Sequence, residues 1–425
     1  MSSSTANPIN GSHVLVYTIP HSGHLIPFLD LTHRLLNRGL TVTVLVTPKE
    51  LPLLQSLIST HSSSYLKPLV VPIPEIPPSS PLGPFRTLNA MREHHEPALI
   101  KWFKSQATVT PPVVAIISDF MLEWTQDLAG RVGVKRILFS TSGACDLSFS
   151  FALWKYLPKN PNDDDDSWPV SFPNLPNSPI YPWWQICPFY RGGKEGDPIW
   201  EFCRNIHLAN MASWGIVFNS FAKLENLGLD HLKGELGHDR MWAVGPLLPE
   251  RDNRDAVFNR GGTSSLPHQQ VMTWLDSRQD DSVVYVCFGT CATLTSAQME
   301  VLTAALEESQ VHFILCAREV PEGFDERVGD RGLVIRGWAP QVAILNHGAG
   351  SAGQYIRVGE ETRAIPKPAE LARLFVKSLG GINGPERLQA QEMSRAMLEA
   401  VAQGGSSDKD LDELVIRLNE LSNSK

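Results

Sequence analysis

Two short apolar runs separated by one helix-length segment constrain the fold of this chain more than any other feature. His13 to Ile19 (HVLVYTI) is continuously apolar, rich in β-branched residues and closed by Pro20, the pattern of a strand buried on both faces. After a tight turn, Leu25, Phe28, Leu29, Leu31, Leu35 and Leu36 keep near-helical spacing up to Gly39, which suits the residue just past a helix end. Thr41 to Val46 (TVTVLV) is the next strand. A strand, helix and strand within about 35 residues imply a parallel pair joined by a right-handed crossover. Val113 to Ile117, Arg136 to Phe139 and Gly215 to Phe218 repeat the buried-strand pattern, so the first half reads as a doubly wound α/β domain.

A second pattern of the same kind follows. From about Pro158 to Asp197 the composition turns to Pro, Asn, Asp and Trp, which predicts a long surface excursion of the functional or mobile sort. Pro246 to Gly262 reads as a linker. Beyond it come a strand at Ser282 to Phe288, a turn at Gly289 to Leu294, and a capping box of Thr295 with Gln298 opening a helix to about Ser309. Val311 to Ala317 and Leu333 to Arg336 continue as strands. With 425 residues, 42% of them hydrophobic, the chain has material for two cores. The expected division is an N-terminal domain at 1–245, a linker at 246–262 and a C-terminal domain at 263–425 that includes the last helix.

A net charge of −8 without a basic stripe argues against nucleic acid as a partner. No apolar run approaches the ~20 residues needed to span a bilayer, and Met1 to Gly11 lacks the basic and apolar regions of a signal peptide. A cytoplasmic protein without membrane contact is therefore expected. Six cysteines, at 145, 187, 203, 287, 291 and 316, are too irregular for a disulfide framework or a zinc site and read as reduced, mostly buried thiols.

Four places can carry chemistry. The turn Pro20-His21-Ser22-Gly23-His24 lies at the carboxyl end of the first strand, where open α/β sheets place ligands, and a histidine there is either a base near neutral pH or a solvent-satisfied residue at a helix start. Asp119 follows the strand VVAIIS and can face the same crevice, fixing the imidazole tautomer, or it can be a helix cap. Phe288-Gly289-Thr290 is either a phosphate-binding turn or a plain βα turn. Trp338-Ala339-Pro340-Gln341 offers an indole platform for a planar base with a nearby amide, or a tryptophan packed under a loop. No GxxxxGK[ST] or HExxH motif is present, and the run Asp163 to Asp166 reads as a solvated loop, not a metal site.

Taken together, HSGH with Asp30, Asp119 in ISDF, FNSFAKLE (218–225), WAVGPLLP (242–249), VVYVCFGT (283–290), GFDERV followed by RGLVIRGWAPQVAILNH (323–347), and GGSSDKDLDEL (404–414) resemble the plant family 1 UDP-sugar-dependent glycosyltransferases. The resemblance covers nearly the whole chain and is nearest to members acting on flavonols or small phenolic acids. It implies the GT-B fold, an α/β arrangement of two Rossmann-like domains facing a cleft, with the acceptor mainly in the first and the UDP-sugar mainly in the second. His24 matches the catalytic base and Asp119 the residue that orients it. Trp338 matches the uracil-stacking residue, Ala339 a backbone contact to the base, Gln341 a ribose contact and Thr290 a donor contact near the phosphates. The implied reaction moves glucose, rhamnose or xylose to a phenolic hydroxyl with inversion, with UDP-sugar as co-substrate and neither metal nor other cofactor. A monomer is expected, with Trp183, Trp184 and Phe189 lining the acceptor pocket.

One departure from the family pattern stands out. After the ILNH segment the family's donor box continues with a strand, a His-Cys-Gly-Trp-Asn-Ser run, a glutamate, a Trp-Pro strand and an acid/amide pair. Here His347 is followed by Gly348-Ala-Gly-Ser-Ala-Gly353 and then by a segment resembling sequence well past the box. The C-terminal domain is thus expected to be truncated internally, with parallel strands left uncovered. The alternative function is a catalytically impaired chain that keeps only acceptor binding.

Overall fold

The computed structural model describes residues 11–76, 82–162, 164–247, 264–289, 292–349, 365–380 and 384–423. The chain divides into two compact units, Met1–Leu248 with Met397–Lys425, and Pro249–Ala396. The first unit contains β1 (His13–Tyr17), α1 (Ser22–Asn37), β2 (Thr41–Val46), α2 (Gln55–Thr60), β3 (Leu66–Val70), α3 (Arg86–Gln106), β4 (Val113–Asp119), α4 (Thr125–Val132), β5 (Lys135–Ser140) and α5 (Ala144–Tyr156). It continues through β6 (Pro169–Ser171), β7 (Ile180–Pro182), α6 (Pro188–Arg191), α7 (Pro198–Met211), β8 (Gly215–Phe218), α8 (Ala222–Leu236) and β9 (Met241–Ala243). Its main sheet is parallel, in the order β3-β2-β1-β4-β5-β8-β9.

Successive side chains of a strand point to opposite faces. Val14 and Val16 of β1 therefore enter one core with Phe28, Leu31 and Leu35 of α1. Leu15 and Tyr17 enter the other, with Leu88, Met91 and Leu99 of α3. All five residues of β1 are buried, which is why its sequence is apolar throughout instead of alternating. Gly39 has φ +81°, so α1 stops where the sequence places its end.

The segment after α5 departs from expectation. Within the Pro158 to Asp197 stretch, β6 and β7 form an antiparallel hairpin, and Val170, Phe172, Leu175, Ile186 and Tyr190 are buried in the second core. The excursion is a packed cover of the sheet, because its aromatic residues bury too much apolar surface to stay in water.

The second unit holds α9 (His268–Asp276), β10 (Val283–Cys287), α10 (Ser296–Ser309), β11 (His312–Cys316), α11 (Phe324–Val328), β12 (Gly332–Ile335), α12 (Gln341–Leu345) and α13 (Pro368–Leu379). Thr295 and Gln298 close the expected capping box at the start of α10. The three described strands are parallel, in the order β10-β11-β12. Ile314 and Ile335 pack on one face, Phe313, Leu315 and Val334 on the other. Among the described residues β10 is an edge, and Val284 to Cys287 are only half-buried although their sequence is that of a fully covered strand. Gly348 and Ala349 pair with the start of β10, whereas 350–364, with most of the unusual GAGSAG segment, lie outside the described residues.

The last two helices are α14 (Pro385–Val401) and α15 (Ser406–Asn423). The C-terminal helix, expected in the second domain, belongs to the first unit. Leu411, Leu414, Val415 and Leu418 form an i, i+3, i+4, i+7 stripe buried in the core beside β1 and α1. Polar bonds fix its register: Ala243 N donates to Asp410, Ser407 donates to the Gly245 carbonyl, Ser12 N donates to Asn419, and Arg38 pairs with Asp408 and Asp412. The expected 246–262 linker lies outside the described residues except for Pro246 and Leu247. Leu414 is fully buried, so Leu414→Ala is expected to destabilise the first unit by about 2–5 kcal/mol, read as a lower urea midpoint at unchanged slope.

Candidate functional site

In the first unit, β1 and β4 are neighbours and both end at the sheet's carboxyl edge, which brings the α1 start and Asp119 together. His21 caps α1, and its carbonyl accepts from the His24 and Leu25 amides, so His24 sits in the first helical turn. His24 Nδ1 lies 2.8 Å from Asp119 Oδ2, with the carboxylate fully buried and the imidazole 23% exposed. A carboxylate only accepts, so Nδ1–H donates and the lone pair of the neutral ring lies on Nε2. Thr18 Oγ1 donates to the same Oδ2 at 3.0 Å, and the Met121 amide donates to Oδ1 at 2.9 Å. Phe120 stacks on the imidazole, with ring centroids 5.4 Å apart.

Beneath this pair lies a buried cation. Arg136 on β5 is 1% exposed. It donates to Ser118, Thr125, Ser213, Asn210 and the backbone carbonyls of Asp119 and Ala209. Burial lowers its guanidinium to about 10, while the charges of Glu123 and Asp119 work in the opposite direction. Tyr17, next to this network, is held well above its ordinary value by burial and then by the charges of Asp119 and Glu123. Its hydroxyl meets His95 Nδ1 at 2.7 Å, and His95 Nε2 lies 3.3 Å from the Pro72 carbonyl. Burial pushes His95 down to about 4, so the ring is neutral, Nε2–H donates to Pro72 and the tyrosine donates to Nδ1.

The second unit carries a cavity of about 610 Å³ at the carboxyl ends of its strands, lined by Phe288, Gly289, Leu294, Cys316, Gly337 and Trp338 among others. That volume suits a small-molecule ligand. Trp338 is half-buried in its wall, Ala339 is buried, and Gln341 is exposed at the start of α12. Gly289 and Gly337 have φ of +68° and +98°, conformations that glycine allows at these two turns. Thr290 lies outside the described residues. His347 bonds Asp276 at 3.0 Å and accepts from the Ala349 amide, a structural placement. Of the acidic run, Asp165 accepts from the Ser167 amide and Asp166 pairs with Arg191 at 3.6 Å, while Asp163 lies outside the described residues. No group of three potential metal ligands and no helix long and apolar enough to cross a membrane occurs among the described residues.

No protein-family model matches the chain. It is 42% identical to UDP-glycosyltransferase 89B2 of Stevia rebaudiana over 96% of this chain and 98% of that protein. It is 41% identical to flavonol 3-O-glucosyltransferase UGT89B1 of Arabidopsis thaliana over 95% of each. The crystal structure of Arabidopsis thaliana UGT89C1 complexed with UDP-L-rhamnose superposes with a TM-score of 0.77 at 32% identity, over 96% of this chain and 99% of that one. The same enzyme complexed with quercetin gives a TM-score of 0.74. The chain belongs to the plant family 1 UDP-glycosyltransferases. Its fold is GT-B, and as a member of that family it is a transferase. The alignments with the two relatives run over 470 and 467 positions, more than the 425 residues of this chain, so both relatives carry residues opposite gaps here.

Sequence reasoning did not single out Arg136, Thr18 or the Tyr17–His95 pair. For Arg136 a signal exists, since this cation abuts the apolar run Ile137 to Phe139 within the strand KRILFS, and such a charge survives burial only with a full set of partners. The Tyr17–His95 bond spans 78 residues and leaves no local mark.

His95, and likewise His13, whose pKa burial also lowers to about 4, are fully buried and neutral. Both values lie below the unfolded value of about 6.5, so between pH 6.5 and 4 the unfolded chain binds more protons and stability falls as the solution is acidified. Each is expected to cost the first unit about 2 kcal/mol between pH 7 and pH 5. Urea unfolding across that range checks this, and a flat profile contradicts it.

Proposed function

We propose that this chain transfers a sugar, glucose, rhamnose or xylose, from its UDP conjugate to a hydroxyl of a flavonol or related small phenolic, with inversion. The observation that carries the reading is the His24–Asp119 pair, a hydrogen-bonded base and carboxylate at the carboxyl edge of the first sheet in a family of UDP-glycosyltransferases. His24 Nε2 takes the acceptor proton as that oxygen attacks the anomeric carbon, Asp119 holds the ring and stabilises the imidazolium that forms, and UDP departs. A single displacement of this kind inverts the anomeric centre.

On the donor side, Trp338 stacks on uracil, the Ala339 backbone contacts the base, Gln341 reaches the ribose and Thr290 reaches the phosphates. The half-buried indole in the wall of the 610 Å³ cavity supports this assignment. The flavonol in the name of one Arabidopsis relative, and the UDP-L-rhamnose and quercetin bound by another, support the substrate classes. The reading needs a UDP-sugar as co-substrate and no metal, and places a monomer in the cytoplasm. Trp183, half-buried against Tyr190, and Phe189, which meets Phe85 at 4.9 Å, belong to the acceptor side in this reading, with Trp184.

A second reading draws on two observations: the gaps in this chain against its relatives and the half-exposed edge strand β10. In it the chain binds acceptor but turns over poorly, because the box residues that hold the diphosphate and the sugar are missing after His347. Losing several charge-assisted hydrogen bonds at ~1.5–3 kcal/mol each removes most donor affinity. Calorimetric titration with UDP separates the two, since micromolar binding supports transfer and absent binding supports the impaired chain. For the base, His24→Ala is expected to lower kcat by about 10²–10⁴ in transfer from UDP-sugar to quercetin, in this chain or with the box restored. Unchanged turnover overturns the assignment.

A further inference from the structure

Cys287 ends β10, Cys316 ends β11, and the two are register partners in a parallel pair. Register partners project from the same face of a sheet, and adjacent strands lie about 4.8 Å apart. That spacing falls inside the window of roughly 4.4–6.8 Å over which two cysteine Cα atoms can be bridged. Both thiols are free. The Gly289 amide donates to Cys287 Sγ at 3.5 Å, and Cys316 Sγ lies 3.4 Å from the Gly337 carbonyl oxygen. The neighbouring Cys316 sulfur is the main cause lowering the Cys287 thiol, and the proximity of Cys287 raises Cys316. One sulfur is thus favoured as thiolate while its neighbour keeps its proton, the division of labour between an attacking and a resolving thiol. Both are half-buried, and Cys316 lines the 610 Å³ cavity, which gives a small oxidant access. Among the described residues no third histidine, cysteine or carboxylate joins them to hold a metal.

We propose that Cys287 and Cys316 form a redox-active dithiol in the cavity wall of the second unit, closed to a disulfide by peroxide. The Cys287 thiolate attacks one peroxide oxygen, the O–O bond breaks, and the departing hydroxide takes up the proton released when Cys287 ionised. Cys287 is then a sulfenic acid. The Cys316 sulfur attacks it, the S–S bond forms, and the sulfenic hydroxyl leaves with the Cys316 proton as water. Two thiols are oxidised and one peroxide is reduced to two waters. The bridge ties the ends of β10 and β11 beside Gly289 and Gly337, where the turns into the cavity begin, and it does not depend on sugar transfer by this chain.

The test uses the full-length protein, reduced, freed of reductant, exposed to stoichiometric hydrogen peroxide and then alkylated. Digestion after glutamate cuts at Glu300, Glu307 and Glu308 and so separates Cys316 from Cys287. The expected result is loss of both cysteines from the alkylated pool, with a linked peptide pair that dithiothreitol releases, in the wild type and in Cys291→Ser, while Cys187 and Cys203 stay alkylated. In Cys316→Ser, Cys287 is expected to be trapped by dimedone as its sulfenic acid. Full alkylation of Cys287 and Cys316 after the peroxide is consumed overturns the proposal, as does a bridge from Cys287 to Cys291.

Discussion

A parallel sheet must be covered on both faces, and that requirement organises this molecule. In the first unit it is met for the central strands, while the edge strand β3 stays partly exposed. Helices α1 and α15 cover one face, α3 and the packed excursion of β6, β7 and α6 cover the other, and β1 disappears from solvent. The carboxyl edge remains as the place where side chains meet a ligand, and His24 and Asp119 stand there. In the second unit the described residues meet the requirement for the middle of β11 but not for β10, where Val284 to Cys287 stay half-buried.

Burying the Asp119 carboxylate needs compensation as well as cover. Its two oxygens accept from Thr18, His24 and the Met121 amide, and its backbone carbonyl accepts from Arg136. Arg136 makes no direct contact with the carboxylate, so its positive charge acts through the interior while its donors are spent on neutral acceptors. The result is a rigid second layer under the base, built by β4, β5 and α7, elements far apart in sequence. Removing such a cation leaves several buried neutral acceptors without a donor, each at a cost of about 1–3 kcal/mol.

What could be read in the sequence was what is local. The β1–α1–β2 unit, the end of α1 at Gly39 and the capping box at Thr295 each lie within a few turns of chain, and their residue types have direct physical meaning. Asp119 was legible through its place at a strand end, although the structure includes it as the last strand residue. The destination of the last helix was not legible. Leu411, Leu414, Val415 and Leu418 show that a helix has a face to bury, but periodicity does not say which sheet receives it. The partners that decide, Ala243, Gly245, Ser12 and Arg38, lie more than 160 residues away. The excursion was misjudged because Pro, Asn and Asp signal a loop, whereas Phe172, Ile186 and Tyr190 within it fasten it to the core.

The path of α15 has a temporal consequence. The Ser12–Asn419 bond closes the first unit across 407 residues, and every residue of the second unit lies between its two ends. During synthesis the first sheet emerges early, yet the face that receives Leu414 and Leu418 stays open until α15, made after the whole second unit, leaves the ribosome. An alteration inside the second unit that keeps the reading frame still delivers α15, and the first unit can finish folding. A frame-breaking one removes that helix and leaves the first sheet uncovered, however far from the sheet the break occurs.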